Sequence, residues 1–172
     1  MRRTKSLCHS GVSVLCLALL IGLSGCGGGD PNKGINVKTT FPATGKILVD
    51  GKSPSEFEDM PPIQIKAWPQ GEGVSDQPPG RAGSKPDGAF ELTTYNAGDG
   101  LPVGEYKLTF KSTKVNLLNP GMAAADHLGA QYLDPDKSNF TVTVSESGEV
   151  QGLESIDLKK AAQPVILEDD RN

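Results

Sequence analysis

From Phe41 onward, short runs rich in β-branched and aromatic residues are cut at regular intervals by Gly, Pro and Asp-Gly turns. That spacing predicts an all-β sandwich, with strands at about 43–50, 62–68, 88–94, 104–112, 139–145 and 152–158. Alternation within the runs selects one face of each strand for the core. Ile63, Ile65 and Ala67 share a face, as do Phe90 and Leu92, then Tyr106, Leu108 and Phe110, then Phe140, Val142 and Val144. Asp50-Gly51 and Asp87-Gly88 supply the positive backbone angles that tight turns demand. One stretch departs from this pattern. Between Asn119 and Leu133, Met122, Ala123, Ala124, Ala125 and Leu128 sit among good helix formers, which predicts a short helix in a long crossover. The tail 161–172 holds a single apolar patch, Val165 to Leu167, before its acidic end, and reads as an edge strand or a frayed end.

The amino terminus follows other rules. Arg2, Arg3 and Lys5 precede an uncharged apolar run from Val12 to Leu23, the layout of a secretory signal. Crossing a bilayer as a helix takes about 20 apolar residues, and this run is too short to be a comfortable span. It ends Leu23-Ser24-Gly25-Cys26, which resembles the lipobox of bacterial lipoprotein precursors. The resemblance implies cleavage before Cys26 and acylation of its thiol, so that the protein partners a membrane through covalent lipid. Two or three acyl chains at about 0.8 kcal/mol per buried methylene make such attachment effectively permanent. Gly27 replaces the aspartate that retains many such proteins at an inner membrane, so the expected place is the cell envelope, on a periplasmic or outer-membrane face. The expected layout is a signal peptide at 1–25, a lipidated cysteine and flexible linker at 26–40, the sandwich at 41–160 and the tail at 161–172.

Cleavage removes three positive charges and no negative ones, which takes the net charge from −4 to −7 and argues against nucleic acid as a partner. Only one of the three cysteines, Cys26, survives. No internal disulfide is then available, and stability has to come from one hydrophobic core. Gly and Pro concentrate in 27–34, 69–88 and 97–104, between the apolar stretches, as a tether and loops rather than as general disorder.

Several ordered pieces resemble the small carboxypeptidase-regulatory-like, or transthyretin-like, domains of short bacterial lipoproteins. Thr44 to Lys52 looks like the opening strand and turn, and Asp87 to Leu92 like the central turn and strand. Gly100 to Leu108 carries a Gly-Glu-Tyr strand entry, and Tyr132 to Val144 looks like the penultimate strand with its approach. The likeness covers about residues 41 to 158. It implies an Ig-like, transthyretin-like β-sandwich of about seven strands, in which Tyr106 buries its ring while its hydroxyl reaches a loop carbonyl. Two segments depart from the pattern: 53–62 is longer than the usual first turn, and 119–130 adds to the crossover.

The residues offer little catalytic chemistry. Nucleophilic catalysis needs a positioned base, and the processed chain has one histidine, His127, with no GxSxG elbow and no free thiol. Gly51-Lys52-Ser53 lacks the upstream glycine of a phosphate loop, since Lys46 stands there. Asp134, Asp136 and Ser138 begin like a calcium loop, but Asn139 and Ser145 replace its turning glycine and closing glutamate, which leaves a plain Asx turn. Asp126 and His127 with Asp134 make a thin metal set, and the Asn139-Phe140-Thr141 glycan acceptor pattern is seldom read in bacteria. No enzyme, cofactor or metal is expected. Trp68, Tyr95 and Tyr132 are the candidate ligand contacts, because sugar-binding sandwiches stack pyranose rings on exposed aromatics. The expected function is a non-enzymatic, lipid-anchored interaction or structural module at the envelope, its partner an envelope protein or a polysaccharide. The alternative is a carbohydrate-binding module at the cell surface.

Overall fold

The computed structural model describes residues 36–74, 76–114 and 125–167. The signal segment, the cleavage residues Leu23 to Gly25, Cys26 and the glycine tether lie outside the described residues, as do 119–124 of the expected crossover helix.

The described chain is an all-β sandwich. In order, its strands are β1 (Thr40–Phe41), β2 (Thr44–Val49), β3 (Gln64–Pro69), β4 (Gly80–Gly83), β5 (Ala89–Glu91) and β6 (Leu101–Pro102). There follow β7 (Gly104–Lys111), β8 (Ala125–Asp126), β9 (Thr141–Val144), β10 (Val150–Gln151), β11 (Ile156–Leu158) and β12 (Val165–Ile166). Five of them form one sheet in the order β10-β9-β7-β3-β4, and three form the other, β11-β2-β5. Pairing is antiparallel within the larger sheet, while β11 runs parallel to β2, with Ile156 opposite Ile47. The sheets meet along one edge, where Arg81 and Thr93 exchange two backbone hydrogen bonds of 2.8 Å. The sandwich is therefore closed on that side like half a barrel.

A single core lies between the sheets. Ile47 and Val49 of β2, Phe90 of β5 and Ile156 and Leu158 of β11 meet Ile65 and Ala67 of β3, Tyr106, Leu108 and Phe110 of β7, and Val142 and Val144 of β9. Every core residue expected from alternation is buried except Phe140, which is partly buried against the cluster. Tyr106 behaves as expected: its ring is 1% exposed and its hydroxyl donates to the Pro102 carbonyl at 2.7 Å. The same oxygen accepts from the Gln77 amide at 2.8 Å, and Gln77 in turn accepts from Lys38 Nζ at 2.9 Å. The Asp50-Gly51 turn has positive φ at both residues, 48° and 75°, closed by reciprocal hydrogen bonds between Val49 and Lys52.

Two expectations need correction. Over its described part, the crossover holds no helix: Ala125–Asp126 is strand β8, and 127–132 is a run of turns. Asp126 explains this. Its carboxylate is fully buried and accepts from the backbone N–H groups of Ser112 (2.8 Å), Leu128 (3.3 Å) and Ala130 (2.9 Å), a set of local bonds that replaces the helical ladder. Strand β4 was expected to be loop, because Gly80-Arg81-Ala82-Gly83 sits in the Gly/Pro-rich stretch. It pairs with β3 over four residues, and Gly80 serves close packing, since a Cβ there would run into the Leu101 side chain. Of the twelve strands among the described residues, β1, β6, β8, β10 and β12 are two-residue pairings, and the other seven match the expected number. The tail takes the edge-strand form, with Val165–Ile166 antiparallel to β8.

The segment 53–62 is a 3₁₀ turn at Pro54–Glu56, its start tied by Ser53 N–H donating to the Glu56 carboxylate at 2.8 Å. Phe57 and Met60 from this segment pack on the core edge.

Candidate ligand-binding face

Strands β3 and β7 point one set of residues into the core, so the other set is fixed on the outer face. On β3 these are Gln64, Lys66 and Trp68; on β7 they are Glu105, Lys107, Thr109 and Lys111. Register then sets the neighbours. Gln64 lies opposite Lys111, Lys66 opposite Thr109 and Trp68 opposite Lys107. On the other side Lys66 lies opposite Arg81 of β4, and Lys107 opposite Thr141 of β9.

Trp68 is the half-buried centre of this face. Its indole N–H donates to Thr109 Oγ1 at 2.9 Å, and the Lys66 ammonium sits 5.4 Å from the ring centroid as a cation–π pair. Lys107 Nζ donates to the Ser138 carbonyl at 3.0 Å. Between Lys66, Trp68, Gln64, Thr109, Lys111 and Leu133 lies a shallow open depression of about 160 Å³. Four cations and one carboxylate, Glu105, share the face, and among the described residues none of the four cations makes an ion pair. Direct opposition of Lys66 and Arg81 is an unfavourable cross-strand pairing of like charge.

The other two candidate aromatics are placed differently. Tyr95 is 8% exposed, in the turn after β5, where Asp99 gathers the backbone N–H groups of Thr94, Tyr95 and Asn96. Tyr132 packs edge-to-face with Phe110 and Phe140 at 6.1 and 6.0 Å, and its hydroxyl accepts from Lys159 N–H at 2.8 Å. Both rings are held by the fold, and Trp68 is the one set on the outer sheet face.

A second concavity of about 160 Å³ lies between the 53–62 segment and the β4–β5 loop, walled by Pro54, Met60, Pro61, Pro62 and Pro86. It presents little beyond apolar surface. Asp134 forms the expected Asx turn, accepting from Asp136 N–H at 2.9 Å, and the Lys137 ammonium beside it holds its carboxyl below the usual carboxylate range. Asp126 is committed to backbone, and among the described residues no three His, Cys, Asp or Glu side chains converge as a metal set. Nor does any buried side-chain polar atom among them lack a partner, so the core presents no unmet polar group for a ligand.

The aromatic centre of this face was legible in the sequence, but its cationic surround was not. Outward positions 64, 66, 68, 107, 109 and 111 follow from the alternation that gave the core, yet only the pairing of β3 with β7 and β4 brings Arg81, Lys66, Lys107 and Lys111 together. Neither the models of known protein families nor the curated proteins contain a match to this chain.

Proposed function

We propose that this protein is a lipid-anchored lipoprotein of the bacterial envelope whose transthyretin-like sandwich is a non-enzymatic interaction module. The observation that carries the reading is Leu23-Ser24-Gly25-Cys26 at the end of a short uncharged apolar run. Support for a module without catalysis comes from the described domain, where polar side chains are committed to holding loops and turns rather than to a nucleophile with a base. The fold class does not name a partner, so the partner has to be sought at the exposed face around Trp68. That ring, set in a depression beside hydrogen-bonding Thr109 and Gln64, favours a saccharide over an envelope protein.

Mass spectrometry of the amino-terminal peptide of membrane-extracted protein tests the anchor. The expected species starts at Cys26 with acyl chains on its thiol-linked glyceride. A chain that starts elsewhere, or carries an unmodified Cys26, overturns the reading.

A further inference from the structure

Charge is distributed unevenly on this molecule. The chain is acidic overall, at −4 before any processing, yet the outer face of β4, β3 and β7 carries Arg81, Lys66, Lys107 and Lys111 against Glu105 alone. A protein with a surplus of carboxylates has ample means to neutralise such a face, and here it does not. Lys114, Lys137 and Lys159 each have a carboxylate partner, whereas the four sheet cations have none among the described residues. Stacking Lys66 directly against Arg81 works against the sheet, and an anion lying across the strands would reverse the sign of that term.

We infer that this face binds an acidic polysaccharide, a polymer of uronate sugars, laid across β7, β3 and β4 with Trp68 at its centre. The inference rests on the interaction-module reading and names its ligand. Lys107 and Lys111 are four residues apart on β7, about 14 Å by the strand rise, which is wider than one sugar and suits a chain of them. The Trp68 ring holds the Lys66 ammonium at the mouth of the depression, so the cation that meets a ligand carboxylate is already positioned. What remains of the indole surface offers an apolar wall for the C–H face of a pyranose, and Gln64 and Thr141 stand at neighbouring positions for hydroxyls. An anionic bilayer fits less well. Membrane insertion needs protruding apolar side chains, and the exposed large ones among the described residues, Val37, Val103, Val165 and Ile166, all lie outside strands β3, β4 and β7.

The test uses the full-length lipoprotein in neutral detergent, titrated against polygalacturonate, a neutral glucan of similar length, dextran sulfate and anionic phosphatidylglycerol vesicles. The expected result is binding to polygalacturonate that weakens as salt rises, with none to the glucan. The Lys66→Gln/Lys111→Gln pair should lower that affinity about tenfold or more, while Lys52→Gln/Lys159→Gln, which removes the same charge elsewhere, leaves it unchanged. Trp68→Phe keeps a ring and should weaken binding severalfold with the far-ultraviolet spectrum intact. Absence of polygalacturonate binding, equal loss in both double variants, or preference for the glucan, the sulfated polymer or the vesicles overturns the inference. A lipidated Cys26 without polygalacturonate binding would sink this inference alone, and polygalacturonate binding by a chain with unmodified Cys26 would sink the anchor alone.

Discussion

At the scale of single residues, Tyr106 shows how a sandwich end is fastened. Its ring fills the core while its hydroxyl bridges the Gln77 amide and the Pro102 carbonyl, so one side chain ties the loop before β4 and the end of β6 to β7. Burial pushes the phenol up to about 12 from an ordinary 10.0, against the opposing effect of the Gln77 bond. A folded-state value raised above the unfolded one means that this contribution is whole below pH 10 and is lost as pH climbs toward 12. Wild-type stability should therefore fall in that window, and Tyr106→Phe should flatten the fall. The variant should also lose about 2 kcal/mol at neutral pH, because Gln77 and Pro102 are left with unmet polar groups. Urea melts at pH 7, 10 and 11.5 measure both effects. Asp126 is the other fastening. Asp126→Ala strands three backbone N–H groups and should cost upwards of about 3 kcal/mol, whereas Asp126→Asn, which keeps one acceptor oxygen, should cost about half of that. Denaturant midpoints of the two variants side by side check the order. The Tyr106 role was legible because a tyrosine in an alternating strand after a glycine implies it. Asp126 was not, since nothing local distinguishes a carboxylate that organises a turn from one that faces water.

Among the elements, the turns were read more accurately than the strands' ends. Asp-Gly pairs declare themselves through backbone sterics, and both reversals stand where they were expected. They are not equivalent, however. Gly51, at φ 75°, has open space around it, while a Cβ on Gly88, at φ 88°, would run into the backbone carbonyl of Ile47, the residue whose N–H donates to the Gly88 carbonyl at 2.9 Å. Gly51→Ala should cost about 1 kcal/mol from backbone conformation alone, and Gly88→Ala about 3 kcal/mol. Thermal melts of the two single variants separate these cases; equal losses would mean that the close approach at Gly88 has no energetic weight. The alternating runs placed β2, β3, β7 and β9 within one or two residues, because a buried face of period two admits few registers. β4 was lost in its glycines, since its strand character comes from pairing with β3 and not from its own composition. The helix expected near Ala125 failed for the converse reason: local propensity favoured it, and the contacts of Asp126 with Ser112 and Ala130 outweighed propensity.

For the molecule as a whole, one core shared by two sheets decides how it comes apart. Residues of β2, β5 and β11 interlock with those of β3, β7 and β9 in a single buried cluster, and the Arg81–Thr93 bridge joins the sheets at one edge. Removing either sheet would expose the inner face of the other, so neither has an apolar partner with which to persist alone. The chain carries a built-in reporter for this, because Trp68 is its sole tryptophan and sits on the larger sheet, with its indole N–H bound to Thr109 of the neighbouring strand. Unfolding in urea followed by Trp68 fluorescence should coincide in midpoint and slope with unfolding followed by far-ultraviolet circular dichroism, which reports both sheets. A dichroism change that precedes or trails the fluorescence change would show that the smaller sheet opens separately. Adding reductant should shift neither curve, since the described residues contain no cysteine to cross-link the two sheets. On the proposed anchor, Cys26→Ser should likewise leave both curves in place while moving the protein from the membrane fraction to the soluble one. The buried cluster of the described residues is drawn from Ala43 through Leu158, so the proposed lipid is expected to decide where the sandwich is held and not whether it folds.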